Sequence, residues 1–208
     1  MDTIKSKYHE TLAATVIKNL EKRQMEGYYC PTVEDAEKLA FSFLKDGQTV
    51  SFGGSMTLEE TGMLTALRHD PSIHLIDRST AKTPDETKKM YHDAYFMSTN
   101  AITTGGELVN IDGTGNRVAA LIYGPETVVI LAGMNKIAAN VDEALSRVHN
   151  VATAQNCIRL DKKTPCAITG ACADCLSPDC ICNQVVITRR SGIKGRIKVL
   201  LIGESFGY

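Results

Sequence analysis

An α/β fold, a three-layer sandwich with a mixed, largely parallel sheet, is predicted by two observations on this sequence. Apolar runs of strand length, among them QTVSF, IHLI and TVVILAG, alternate with segments that carry helix caps and helical spacing. TVVILAG has no polar residue after Thr127, as expected of a strand covered on both faces. With 208 residues, 43% of them apolar, the chain can bury one substantial core.

The first segment sets Ile4, Tyr8, Leu12, Val16 and Leu20 at steps of four, with Ala13 and Ile17 beside them, which is a helical stripe. Lys5, Lys7, Glu10, Lys18, Glu21, Lys22 and Arg23 fall on its other side and read as a solvated face. After Pro31, Thr32 caps a second helix that buries Val33, Ala36, Leu39, Ala40 and Phe43 and stops at Gly47. QTVSF is a strand leaving into Gly53 and Gly54, and Thr57 with Glu60 forms a capping box for a helix reaching about His69. IHLI is a buried strand. TPDE at 83–86 opens another helix, with Thr83 as cap and Pro84 at its first position.

YFMSTNAI reads as one further strand, and LVNI and RVAALIYG read as an antiparallel pair joined by the turn DGTGN. TVVILAG adds a strand, and Asn140 with Glu143 caps a helix through Val141, Ala144, Leu145 and Val148. A cysteine-rich loop near the C-terminus then precedes two closing strands, QVVIT and RIKVLLIG. No internal repeat or long linker is visible. The chain divides into an N-terminal helical segment over 1–29 and an α/β domain over 30–208, which includes the cysteine-rich stretch 157–182.

A net charge of -1, with both signs interspersed and no tryptophan, argues against nucleic acid as a partner. The N-terminus lacks the apolar core of a signal peptide, and the longest apolar runs are too short for a bilayer, so no membrane association is expected. A cytoplasmic protein is the expectation, and in that reducing compartment cysteines serve metals, catalysis or burial rather than disulfides.

Two glycine-rich segments stand at strand ends, where backbone N–H groups can approach an anion. FGGSMTLEETG, residues 52–62, offers Gly53, Gly54, Ser55 and Thr57, and matches neither nucleotide fingerprint. Glu59 and Glu60 there read as charges complementing a helix start. TTGGELVNIDGTGNR, residues 103–117, gathers Thr104, Gly105, Gly106, Glu107, Asn110, Asp112, Gly113, Gly115, Asn116 and Arg117. Such a set can orient a polar metabolite, with Glu107 or Asp112 as a base; equally, Asp112-Gly113 can be a plain hairpin turn. Asn135 and Lys136 follow TVVILAG, where a lysine can meet an anion. His9, His69, His74, His92 and His149 fall in no ligand or triad spacing and read as structural.

Six of the seven cysteines lie in the last third of the chain: Cys157, Cys166, Cys172, Cys175, Cys180 and Cys182, with Cys30 apart. The spacing Cys172-x-x-Cys175 lets two thiolates grip one tetrahedral centre, and the others supply further ligands. Zinc and an iron–sulfur cluster both use this spacing, so either fits; a redox dithiol and unligated thiols remain as alternatives. The usual ferredoxin spacing is missing.

FGGSMTLEETG, STNAITTGGELVNIDGTGNRVAALIYGP, NKIAANVDEALSRV and TGACADCLSPDCICN together resemble the lactate-utilization (LUD domain) family, in its short stand-alone members, from about residue 30 onward. The resemblance implies a fold related to sugar-phosphate isomerases and CoA-transferases. It also implies a part in oxidising L-lactate to pyruvate, within a multi-protein system whose other components carry iron–sulfur clusters. Cysteines at positions matching 166, 172, 175 and 182 recur in the tail pattern of short members, whereas Cys180 stands where arginine is more usual; Cys157 and Cys180 are substitutes for the fourth ligand.

Three functional expectations follow. The first is a redox accessory or subunit acting on a small 2-hydroxy or 2-oxo acid, with lactate-utilization proteins as partners. The second is an enzyme binding a phosphorylated sugar or CoA ester, with Glu107 or Asp112 as base and Arg117 or Lys136 as anion clamp. The third is a zinc-stapled structural or interaction protein. A homo-oligomer is compatible with all three.

Overall fold

The computed structural model describes residues 3–80, 83 and 91–208, so the helix expected to open at 83–86 lies, beyond Thr83, outside the described residues. The principal sheet has six parallel strands in the order β1 (Glu26–Cys30), β10 (Ile197–Ile202), β7 (Thr127–Gly133), β4 (Ala94–Met97), β2 (Thr49–Phe52), β3 (His74–Ile76). Successive side chains of its central strands point to opposite faces. Tyr95, Met97, Val128, Ile130, Val199 and Leu201 enter one core, while Phe96, Val129, Leu131, Leu200 and Ile202 enter the other. This double burial is why the strands lack polar alternation.

The first core is closed by α1 (Thr3–Lys22) through Ala13, Val16 and Leu20, and by α5 (Asn116–Ile122) through Ala120 and Leu121. The second is closed by α2 (Val33–Phe41), α3 (Met56–Glu60) and α4 (Met63–His69). The result is the expected three-layer α/β sandwich. Among the described residues no helix is long and apolar enough to cross a membrane.

The antiparallel character sits in a second, four-stranded sheet ordered β8 (Ile137–Ala138), β5 (Ala101–Thr103), β6 (Leu108–Asp112), β9 (Gln184–Thr188). One of its faces sends Ile102 and Leu108 into the first core. The other packs Ala101, Val109 and Ile111 against α6 (Val141–Arg147), whose helical path runs on through a π stretch, Val148–Thr153, into α7 (Ala154–Arg159).

Several local expectations are corrected. RVAALIYG is no strand: residues 116–122 form α5, and LVNID pairs instead with β5 and β9. The Asp112 carboxylate accepts from the Arg117 and Val118 amides at 3.1 and 3.2 Å, and Gly115, at φ 84°, turns the chain into the helix. An apolar run of this length suits a helix face or a strand alike, and the alanine pair favours the helix. YFMSTNAI is two strands, one in each sheet, because Ser98, Thr99 and Asn100 turn the chain between them. Thr99 Oγ1 donates to the carbonyls of Ala101 and Val109, and Asn100 Oδ1 accepts from the Ile111 amide.

The helix after β2 is capped by Ser55, whose hydroxyl accepts from the Leu58 amide at 3.3 Å, rather than by Thr57, and it is broken between Glu60 and Met63. α2 ends at Phe41, well before Gly47, with Ser42 closing it. The stripe of α1 is buried only in its second half, since Ile4 and Tyr8 are 79% and 61% exposed. β1 had no counterpart in the sequence reading.

Candidate functional site

All strands of the principal sheet point their carboxyl ends the same way, and that rim is where an open α/β sheet presents its crevice. β2 exits into Gly53, Gly54 and Ser55; β4 exits into Ser98–Asn100; β7 exits into a single turn, Met134–Lys136. Between these exits lies a cleft of about 440 Å³, walled by Gly54, Ser55, Thr57, Asp112, Gly113, Asn116, Arg117 and Lys136, with Arg78, Thr153, Arg159 and Tyr208 completing it. The two glycine-rich segments and the lysine, far apart in sequence, therefore share one site.

Gly53, Asn110, Gly115 and Asn135 stand behind that wall. A side chain at Gly53 would meet Tyr95 Oη at 2.9 Å and Arg117 Cγ at 3.4 Å. Asn110 Oδ1 accepts from Arg117 Nη1 at 2.5 Å, and Asn135 ties the final segment down by donating to the Gly207 carbonyl and accepting from the Phe206 amide. Thr104, Gly105, Gly106 and Glu107 are not in the cleft at all. They form the turn between β5 and β6, where Glu107 pairs with Arg23 and accepts from the Thr103 hydroxyl, and Asn19 Nδ2 donates to the Thr104 carbonyl at 2.9 Å.

Gly106 holds φ 86°, and a Cβ there would lie 2.9 Å from backbone atoms of Asn19 and Leu20. Gly106→Ala is expected to cost about 2–5 kcal/mol, combining left-handed strain with overpacking against a backbone that cannot yield. Urea denaturation measures it; an unchanged midpoint would mean that α1 does not pack so closely.

Arg117, 8% exposed, spends its donors on the protein. Nη1 also reaches the Ser98 carbonyl at 3.1 Å, Nη2 reaches Asn100 Oδ1 at 2.9 Å and the Ile111 carbonyl at 3.0 Å, and Nε lies 3.5 Å from Asp112 Oδ1. The guanidinium thus ties the loop between β4 and β5 to the end of β6 while lending the cleft its charge. Beneath it, Tyr95 Oη and Asn110 Nδ2 are buried without a hydrogen-bond partner among the described residues. Tyr95→Phe is accordingly expected to be neutral or to stabilise by about 1–2 kcal/mol, since only an unmet hydroxyl is lost; a loss of stability in thermal melts would reveal a partner for it.

Lys136 is 4% exposed, and burial, followed by the charges of Arg147 and Arg117, pushes its ammonium down to about 7 against the opposing pull of Glu60. Arg147 is itself anchored on the carbonyls of Asn135 and Asn100, at 3.0 and 2.8 Å. A side chain at Gly54 would approach the Arg78 guanidinium, its Cβ 3.0 Å from Nη1. The cleft is cationic, and its glycine rim leaves room for a ligand.

A second cavity, of about 420 Å³, adjoins the first, and Thr153 and Ile181 line both. Its walls contain all six C-terminal cysteines together with His149. Cys157 comes from α7, Cys166 from α8 (Pro165–Thr169), and Cys172, Cys175, Cys180 and Cys182 from the loop before β9. The loop is pinned by the Cys172 amide on Asn150 Oδ1 at 3.2 Å and by the Lys163 amide on Asp179 at 2.9 Å. All seven cysteines are free, and Cys30 lies apart in the second core.

Burial pushes the Cys182 thiol up to about 11 and raises that of Cys157, so neither is a ready thiolate nucleophile. Among the described residues no three His, Cys, Asp or Glu side chains are already gathered around one metal ion. Six thiols around one cavity nevertheless supply the donor chemistry that either an iron–sulfur cluster or a zinc ion takes. Backbone amides of Asp174 and Cys182 also point at Cys172 Sγ and Cys180 Sγ, at 3.4 and 3.3 Å, a contact that favours ligating thiolates.

His149, Arg78, Arg159, Ser98 and Tyr208 were missed in the sequence. His149 had a readable signal: with Thr153 and Cys157 it repeats at steps of four, which puts all three on one side of a helix. Its Nδ1 lies 3.7 Å from Cys172 Sγ.

The family model described as the LUD domain matches residues 13–202. A DUF162 family protein from Deinococcus radiodurans has a similar structure, with TM-score 0.53, 10% identity, and 93% of this chain and 98% of that one covered. Ribose 5-phosphate isomerase from Plasmodium falciparum overlaps more loosely, with TM-score 0.34, 14% identity and 52% of each chain covered. No curated protein sequence matches.

Proposed function

The chain belongs to the LUD domain family, and from that premise we propose that it is a redox component in the oxidation of L-lactate, or a similar small 2-hydroxy acid, to the 2-oxo acid. The observation that carries this reading is the wall shared by a cationic cleft and a chamber of six thiols. Arg78 and the field of Arg117 and Arg147 attract and orient the carboxylate. Asn116, Ser55 and the glycine rim offer hydrogen bonds at close range.

In the chamber, Cys166, Cys172, Cys175 and Cys182 are the proposed ligands of an iron–sulfur cluster, with Cys157 and Cys180 beside them. Such a cluster, when bound, takes up and passes on single electrons. The residues around it hold the ligand sulfurs next to the cleft. The electrons leave, on this reading, to other lactate-utilization proteins.

A thermal-shift series tests the ligand class, since a ligand that binds the folded state raises apparent stability by mass action, about 2.7 kcal/mol at a hundredfold excess over Kd. L-Lactate and pyruvate are expected to raise the melting temperature, and propionamide, which lacks the carboxylate, is not. A response confined to ribose 5-phosphate or CoA would replace the lactate reading by that of a sugar-phosphate or CoA-ester enzyme.

A further inference from the structure

We infer that Lys136 is a nucleophile, an amine that attacks the carbonyl carbon of a small 2-oxo acid held in the cleft and condenses with it to an imine. The step rests on the cleft's taking a small carboxylate, as proposed for its function, and adds a covalent activity to that binding. Lys136 occupies the single turn at the carboxyl end of β7, is almost fully buried, and lines the cleft.

Among the described residues its Nζ has no hydrogen-bond or ion-pair partner. The charged groups around it are Arg147 from the end of α6, Arg117 from α5 and Glu60 from the end of α3. Both guanidiniums oppose an ammonium. The Glu60 carboxylate is engaged elsewhere, accepting from the Gly207 amide at 2.6 Å. The last residues pack over the amine so closely that a Cβ at Gly207 would lie 3.3 Å from Nζ.

A buried lysine beside two fixed cations, whose effect together with burial outweighs the pull of Glu60, keeps a neutral, nucleophilic amine near neutral pH, and its pKa of about 7 agrees. The chemistry balances without an oxidant. The nitrogen lone pair forms the C–N bond as the carbonyl π pair moves to oxygen, two protons pass from nitrogen to that oxygen, and one water leaves for each imine formed.

The test uses the full chain with pyruvate and, in parallel, glyoxylate, each with sodium cyanoborohydride to reduce any imine to a stable amine, followed by peptide mass mapping. Lys136 is expected to carry the adduct at least about tenfold faster than any other lysine at neutral pH, because the other side chains are protonated there. Labelling spread over surface lysines, with Lys136 unmodified, would overturn the inference. If both acids raise the melting temperature but Lys136 stays unlabelled, the cleft reading stands and the nucleophile falls. If glyoxylate labels Lys136 while L-lactate and pyruvate leave the melting temperature unchanged, the nucleophile stands and the lactate reading falls. Lys136→Met should abolish the adduct, and the wild-type map decides the matter even if that variant does not fold.

Discussion

Arg117→Met is expected to lower folding stability by roughly 3–5 kcal/mol, the range for removing one partner from a buried charged network. The guanidinium reaches Ser98, Asn100, Asn110, Ile111 and Asp112, which lie on two chain segments, the loop after β4 and the end of β6. Methionine fills part of the volume but takes a donor from two carbonyls, two amide oxygens and a carboxylate, and those without a second partner must then find water. The loop joining β4 to β5 and the start of α5 should loosen together, since one side chain holds both. Urea denaturation with hydrogen exchange measures this, and a loss below about 1 kcal/mol, the range of an exposed ion pair, would mean that the network is not the support of the cleft.

Lys136→Met is expected to act in the opposite direction and to depend on pH. Burial lowers the lysine from 10.5 to about 7, so above pH 7 the folded state has released a proton that the unfolded chain keeps until about 10.5. Wild-type stability should therefore rise with pH across that window, by about 1.4 kcal/mol per unit from this group. Below pH 7 both states are charged and the full cost of burial is present, so the variant should exceed wild type there by roughly 3–5 kcal/mol. The gap should close towards pH 10.5. Denaturation midpoints at pH 6 and pH 9 on both proteins check it; a gap of the same size at both would show that packing, rather than charge, distinguishes them.

The strands and capped helices were legible because each rests on a local signal. TVVILAG and the VLLIG that follows Lys198 announce double burial by their apolar runs, and Asn140 caps α6 as its spacing implies, accepting from the Glu143 amide at 2.9 Å. RVAALIYG was misread because its side chains satisfy either element, and the choice is made by Asp112, whose carboxylate holds the first amides of the helix. Glu107 looked like a base beside glycines. Its partner Arg23 is 84 residues away, and no local spacing shows that α1 packs on that turn. The cleft could be read as two glycine-rich strand exits and a lysine, but their convergence needed the parallel strand order of β2, β4 and β7. The gathering of cysteines was plain in the sequence, whereas its contact with the cleft depends on the helical path from Val141 to Arg159, which carries Thr153 into both walls.

Iron, zinc and acid-labile sulfide, measured with a visible spectrum on protein purified without oxygen, test most directly whether the thiol chamber serves electron transfer. Iron and sulfide in matched amounts are expected, with a broad visible absorption that Cys172→Ser with Cys175→Ser removes while the thermal response to L-lactate persists. Zinc without sulfide, or six titratable thiols with neither metal nor sulfide, would contradict the redox role and leave the cleft to act alone.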